Sequence, residues 1–314
     1  MNTKKVLTAE AYLGLFLLAI LLLLAIFTRG FFSINNVMSM LNRFSYVLIA
    51  AIGMNLIIIT SNIDVSAGAL ISVVCLVLAA LGKLGLGLPV LLPAAIITGG
   101  MLSLINAVFI TKFRIPAIVA TLATAQLFSG ILPLTVEGSI YDLPASFTWL
   151  AFDAKLFGLV PVSILIAFII ALSALVFMNY SRLSKKIYAV GNNPEAARLA
   201  GIDVNKIVII AYVIAGCLFG ITGTIIATAG QRVTTTMGTG LEMTFIAAVV
   251  LGGTSVAGGS GKILGTIFGT AVLSVISPAT NYLGISSDWS DAIMGAIIIV
   301  AVIVSALRKE VRHG

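Results

Sequence analysis

Ala11-Tyr-Leu-Gly-Leu-Phe-Leu-Leu-Ala-Ile-Leu-Leu-Leu-Leu-Ala-Ile-Phe27 is an unbroken run of seventeen apolar or near-apolar residues, and its meaning sets the fold class of the whole chain. Lys4 and Lys5 precede it as they would a secretory signal. The run is longer than a usual signal core, however, and Thr28-Arg29-Gly30 offers no small-x-small cleavage site. It is therefore read as a first membrane span. Comparable runs recur along the chain near 38–60, 65–82, 88–110, 115–133, 159–178, 206–229, 241–257, 263–283 and 289–307. Each is close to the roughly 20 residues that cross a hydrocarbon core as a helix. The expectation is an all-α polytopic bundle of about ten transmembrane helices, forming a single membrane domain over 1–314.

Composition points the same way. The chain is 60% hydrophobic and 9% charged, whereas soluble domains carry about 25% charged residues. The net charge of +7 lies in short clusters between apolar runs, with no basic helical face and no interleaved aromatics, so nucleic acid is excluded as a partner. The lipid bilayer is the expected one. An even number of spans puts both termini on one side, together with thirteen of the Lys and Arg residues. Only Arg29, Arg43, Lys83, Lys155 and Arg232 fall on the other. The cation-rich side is the cytoplasm by the positive-inside rule, so a multi-pass protein of the cytoplasmic (inner) membrane with cytoplasmic termini is expected. Two loops are long: an outer one at 134–158, carrying Glu137, Asp142, Trp149 and Asp153, and an inner one at 179–205.

Catalysis finds no support. The one histidine, His313, stands beside the C-terminal residue, and Cys75 and Cys217 lie inside apolar runs as small buried hydrophobes. No catalytic residue, no metal site and no cofactor is expected. The glycines at 252, 253, 258, 259 and 261 fail as a phosphate cradle, because Ile263 follows Gly261-Lys262 and Val256 stands where the earlier glycine is required. Energy for transport must then come from a partner or an ion gradient.

The inner loop contains Gly191-Asn-Asn-Pro-Glu-Ala-Ala-Arg-Leu-Ala-Gly201, whose punctuation predicts a helix of about two turns. Asn193 can cap it, Pro194 suits its first position, Glu195 meets the positive end of the dipole and Gly201 can end it in a left-handed conformation. So short a helix does not persist alone in water. It must dock, either on its own membrane domain or on a cytoplasmic subunit.

The segment from Ile187 to Gly223, which includes Ala189-Val-Gly-Asn-Asn-Pro-Glu-Ala-Ala-Arg-Leu-Ala-Gly-Ile-Asp-Val-Asn-Lys-Ile207, resembles the ribose, arabinose and galactose type permeases of ATP-binding cassette (ABC) transporters. So do Phe31-Phe-Ser-Ile-Asn-Asn-Val37, Asn62-Ile-Asp-Val-Ser-Ala-Gly68 and Ala247-Ala-Val-Val-Leu-Gly-Gly-Thr-Ser-Val-Ala-Gly-Gly-Ser-Gly261. The resemblance implies an importer subunit for a monosaccharide or similar small polyol. Its coupling helix, here Asn193, Pro194, Glu195, Ala197, Arg198, Gly201 and Ile202, would fit a groove on a cytoplasmic ABC ATPase. The resemblance further implies an extracytoplasmic substrate-binding protein, a second permease subunit that is either an identical copy or a paralogue, and a fold like that of the vitamin B12 importer permease, with spans two to five and seven to ten as inverted repeats. Two positions depart from the family pattern: Asn62 where glycine is usual, and Thr244 where an acid is usual.

Polar residues inside the spans are the pathway candidates, because each needs a partner or a wet cavity. Asp64 and Ser66 lie in Thr60-Ser-Asn-Ile-Asp-Val-Ser-Ala-Gly68, where they either cap a restarted helix or line the pathway. Asn55, Asn106 and Gln126 carry amides that can bond a sugar hydroxyl or tie two helices together. Glu242 and Thr244 are expected at the outer end of their span. The competing function is an ion-gradient-driven secondary transporter, for which Asp64 is the single acid placed well inside the bundle.

Overall fold

The computed structural model describes residues 9–136, 138–140, 143–144, 147, 155–156 and 160–285, with isolated positions between 289 and 299. The predicted span at 289–307 lies almost wholly outside them, as do Glu137, Asp142, Trp149 and Asp153. The described chain is helical: α1 (Ala9–Phe27), α2 (Ile34–Ile59), α3 (Ala67–Lys83), α4 (Leu88–Thr111), α5 (Ala117–Thr135), α6 (Val162–Tyr180), α7 (Arg182–Asn192), α8 (Pro194–Leu199), α9 (Val204–Ala227), α10 (Leu241–Leu251) and α11 (Ile263–Tyr282). Two-residue strands form small antiparallel ribbons. β1 (Ser139–Ile140) pairs with β4 (Val233–Thr234), and β2 (Lys155–Leu156) with β3 (Val160–Pro161).

Six helices, α2, α4, α5, α6, α9 and α11, are long and apolar enough to cross a membrane, and α1, α3 and α10 are shorter apolar helices. The chain is thus a polytopic helical membrane protein. Helix α2 is its axis. From Val47 to Ile59 every residue is buried, as befits a helix apolar around its whole circumference. Around it pack α6, α9, α10 and α11, and α9 also lies against α3 and α4. Small residues set the α4–α9 approach: a Cβ on Gly99 would collide with the Gly216 carbonyl, and one on Gly220 with the Ala95 carbonyl. Close backbone approach through small residues is how helices gain packing energy where lipid removes the hydrophobic drive.

Two span boundaries differ from the sequence expectation. Helix α2 begins at Ile34, ahead of the expected 38, and continues without interruption through Asn42 and Arg43. Asn42 is satisfied laterally, its Oδ1 accepting from Ser163 Oγ of α6 at 2.8 Å. The span expected at 241–257 is instead an eleven-residue helix ending at Leu251. At about 1.5 Å per residue it is too short to cross a core of about 30 Å. A Cβ on Gly252 would strike the Gly265 backbone, so the chain turns there into a non-helical glycine loop before α11.

Candidate functional site

The inner loop folds as three successive capped helices. Ser181 Oγ accepts from Ser184 N at 2.9 Å to start α7, Asn193 Oδ1 accepts from Glu195 N and Ala196 N at 3.0 Å to start α8, and Asp203 Oδ1 accepts from Lys206 N at 3.0 Å to start α9. Pro194 occupies the first position of α8 and Glu195 its first turn. The far end closes on a left-handed Gly201 (φ +78°), with Gly201 N bonded to Arg198 O and Ile202 N to Ala197 O, both at 2.9 Å. That pair of bonds is a Schellman stop. Every punctuation mark read from the sequence is present.

Helix α8 presents two faces. Ala197 is 4% exposed and Ile202 half-buried against the chain's own core, while Glu195 and Arg198 are exposed and Leu199 is 91% exposed. The docking of α8 on its own membrane domain therefore goes through Ala197 alone in the helix. An apolar, almost fully exposed leucine on a six-residue helix remains for something else. Leu199 was not singled out in the sequence, because only the three-dimensional orientation of α8 separates it from Ala197.

Asp64, Ser66 and Asn106 come together. The chain breaks between α2 and α3, and Ser66 N and Ser66 Oγ both donate to Asp64 Oδ1, at 2.8 and 2.6 Å. Asn106 Nδ2 of α4 donates to Ser66 Oγ at 2.7 Å, and Thr124 Oγ1 of α5 donates to Asn106 Oδ1 at 2.6 Å. Asp64, Ser66 and Asn106 are fully buried, and Asp64 Oδ2 has no hydrogen-bond partner. Thr124 was missed in the sequence, where a threonine in an apolar run gives no signal. Asn55 belongs to a different network. Its Nδ2 donates to Thr266 Oγ1 of α11 at 2.7 Å, and its Oδ1 accepts from Thr254 of the glycine loop at 3.3 Å. Gln126 joins neither, lying exposed on α5.

Glu242 lies half-buried in the first turn of α10, beside α3. The segment after β4 descends beside α3, so that Gly238 N donates to Ser72 Oγ at 2.9 Å. A Cβ on Gly68 would collide with the Glu242 carboxylate and the Gly238 carbonyl. Thr244 is buried two residues further along α10. Glu242 thus lies against the first turn of α3, the helix whose entry Asp64 and Ser66 form.

Residues 36–302 match the family described as branched-chain amino acid transport system / permease component. The chain belongs to this family of permease components. It is 37% identical over 299 residues to the ribose import permease protein of Escherichia coli K12, covering 92% of each chain. It is 31% identical to the ribose import permease protein of Haemophilus influenzae over 94% of this chain and 95% of that one. To the autoinducer 2 import system permease protein of Escherichia coli O157:H7 it is 34% identical, over 91% of this chain and 84% of that one. No solved structure matches the chain. Membership makes this permease a transport component and not an enzyme, and accounts for a membrane domain whose polar groups are arranged along helices and at their breaks instead of in a catalytic cluster.

Proposed function

We propose that this permease forms the membrane pathway of an ABC importer for a monosaccharide or similar small polyol, and that α8 is the helix on which a cytoplasmic ATPase docks. The observation that carries it is α8 itself: a six-residue helix fully capped at both ends, anchored on its own domain through Ala197, with Leu199, Glu195 and Arg198 turned outward. So complete a specification of so short an exposed helix is unneeded unless its outer face is bound. Relatives named as ribose and autoinducer 2 import permeases support the substrate class.

The ten-span count, the cytoplasmic termini and the inverted-repeat fold like that of the vitamin B12 importer permease belong to the same proposal. The packing supports the repeat. Exchanging α2, α3 and α4 for α9, α10 and α11 maps the contacts onto one another: α3–α9 onto α10–α2, α4–α9 onto α11–α2, and α3–α4 onto α10–α11. A second permease copy, identical or paralogous, would cover the exposed Gln126 face of α5, since an amide is disfavoured against lipid. An extracytoplasmic binding protein would deliver substrate to the side bearing the β1–β4 ribbon. Glu242 on α10 and Asp64 in the α2–α3 break, both beside the start of α3, mark where the outer and inner approaches meet.

Reconstitution of the permease with its ATPase and binding protein in proteoliposomes tests this directly. ATP-dependent uptake of a labelled pentose or small polyol, lost when α8 carries Glu195→Trp, is the expected result. Gradient-driven uptake by the permease alone would overturn it in favour of a secondary transporter.

A further inference from the structure

Three chain segments far apart in sequence meet at the end of α2 with almost no side chain between them. Gly191, at the end of α7, lies so close to the Ile59 carbonyl that any Cβ there would collide with it. Ile59 O instead accepts from Gly259 N of the glycine loop at 2.9 Å. Gly259 in turn leaves no room for a Cβ beside Asn192, whose Cα would lie 2.7 Å away. Ser61, itself exposed, reaches this point with its hydroxyl. It is held left-handed (φ +63°) and shares its hydroxyl proton between Gly191 O at 2.9 Å and Ala257 O at 3.0 Å. Tyr188, one turn back on α7, donates its hydroxyl to Gly261 O at 2.7 Å.

A left-handed conformation is unfavourable for a residue with a Cβ, and persists only where the surroundings over-determine it. Here the surroundings are two carbonyls, one from each of two other segments. The helix pair α7–α8 is thereby joined backbone to backbone to both the α2–α3 break and the glycine loop between α10 and α11. The two lie in different halves of the bundle, the break after α2 and the loop before α11. Contacts of this kind have no flexible side chain to absorb a displacement, so a push on α8 must move both breaks together.

We infer that Ser61 is a positioning residue for energy coupling: by clamping Gly191 O to Ala257 O, it makes the ATPase-docking helices, the α2–α3 break and the glycine loop move as one body. This rests on the assignment of α8 as the ATPase-docking helix. Gly191 and Gly259 are required at the same junction because any Cβ would separate the segments.

The test uses the assembled transporter in proteoliposomes, with Ser61→Gly, which keeps the backbone conformation and deletes the hydroxyl, and Gly191→Ala, which wedges α7 off α2. Both should retain ATPase co-purification and basal hydrolysis, while transport and its stimulation by loaded binding protein fall about tenfold, within the usual range of coupling energies. Ser61→Asn, which tolerates the left-handed region and carries a donor, should restore part of the loss. Spin labels at Arg198 and Val256 give a measurement that leaves the junction intact. Their separation should stay constant between nucleotide-free and ATP-bound transporters, and should change with nucleotide once Ser61→Gly is introduced. Wild-type stimulation in Ser61→Gly and Gly191→Ala, or a nucleotide-dependent Arg198–Val256 separation in the wild-type sequence, overturns the inference. If Glu195→Trp on α8 also leaves coupling untouched, it is the assignment of α8 that fails; if Glu195→Trp uncouples while the junction variants do not, only the junction fails.

Discussion

Asn106 donates to the Ser66 hydroxyl across 2.7 Å, and through that contact a directed chain of donors runs from Thr124 on α5 through α4 to Asp64 in the helix break. Each donor polarises the next, so such a chain holds more strongly than its separate links. It fixes where α3 restarts. Asn106→Leu leaves Thr124 with only the Thr121 carbonyl, at 3.1 Å, as acceptor and removes the donor to Ser66 Oγ, at roughly 1–3 kcal/mol for a buried group left unpaired. Unfolding of the purified variant in mixed micelles should show a loss of that order, and Thr124→Val a smaller one. An unchanged unfolding midpoint in Asn106→Leu would show that the chain of bonds is dispensable.

The α4–α9 crossing should be intolerant of side chains. Gly216 faces the Gly99 carbonyl and Ser103 so closely that a Cβ collides with both. Overpacking of this kind is typically unfavourable by about 1–3 kcal/mol. Gly216→Val should lower the yield of monodisperse protein on size-exclusion chromatography, whereas Gly85→Ala, where no atom lies within 4 Å of an added Cβ, should be affected only through its positive φ.

Leu199 separates stability from docking. Because it is 91% exposed, Leu199→Asp should alter the permease's own stability by no more than about 0.5 kcal/mol. Co-purification of the ATPase should nevertheless fall severalfold. Asn193→Ala acts differently, removing the cap that accepts from Glu195 N and Ala196 N and loosening α8 by about 0.5–2 kcal/mol. Hydrogen exchange of residues 194–199 should rise in that variant and stay unchanged in Leu199→Asp.

Tyr188 should give the inner junction an alkaline limit. Burial pushes its phenol above the ordinary value of 10.0, because the neutral hydroxyl that donates to Gly261 O is preferred to a phenolate. A group whose proton is held more tightly in the folded state stabilises fully below its unfolded pKa, and that contribution disappears as pH rises through the folded value. Stability should thus be flat near neutrality and fall above about pH 10. Tyr188→Phe should be less stable by about 0.5–1.5 kcal/mol at neutral pH and lose that part of the alkaline decline, as followed by thermal unfolding across the pH range.

Gln126 reports on the partner across α5. Its amide is exposed on a helix that packs chiefly against α3 and α4. Gln126→Cys, in a background with Cys217 replaced by serine, should form a disulfide between two permease copies in oxidised native membranes. Monomer alone after oxidation would mean that the α5 face meets lipid or another subunit.

The membrane character, the rough position of the described apolar helices and the punctuation of α8 were legible in the residues. Length, hydropathy and capping act over a few neighbours, and neighbours are what a sequence displays. Asn193, Pro194 and Gly201 take up the conformations expected of them for that reason. The start of α2 and the extent of α10 were not legible. Asn42 is tolerated in a helix because Ser163, 121 residues away, bonds it, and α10 stops where a left-handed Gly253 (φ +88°) turns the chain, with Thr254 N bonded to Val249 O at 3.2 Å and Gly252 packed on the Gly265 backbone.

The polar residues show the same division more sharply. Composition alone marked Asp64, Ser66, Asn106 and Asn55 as groups that need partners, because apolar surroundings penalise any polar group left unbonded. Which partner each received was decided only when the helices packed, since a hydrogen bond between α2 and α11 or between α4 and α3 depends on rotation and depth that no local pattern encodes. The same holds for Ser61, Gly191 and Gly259: three unremarkable positions in the chain became one contact because folding brought their backbones within van der Waals distance.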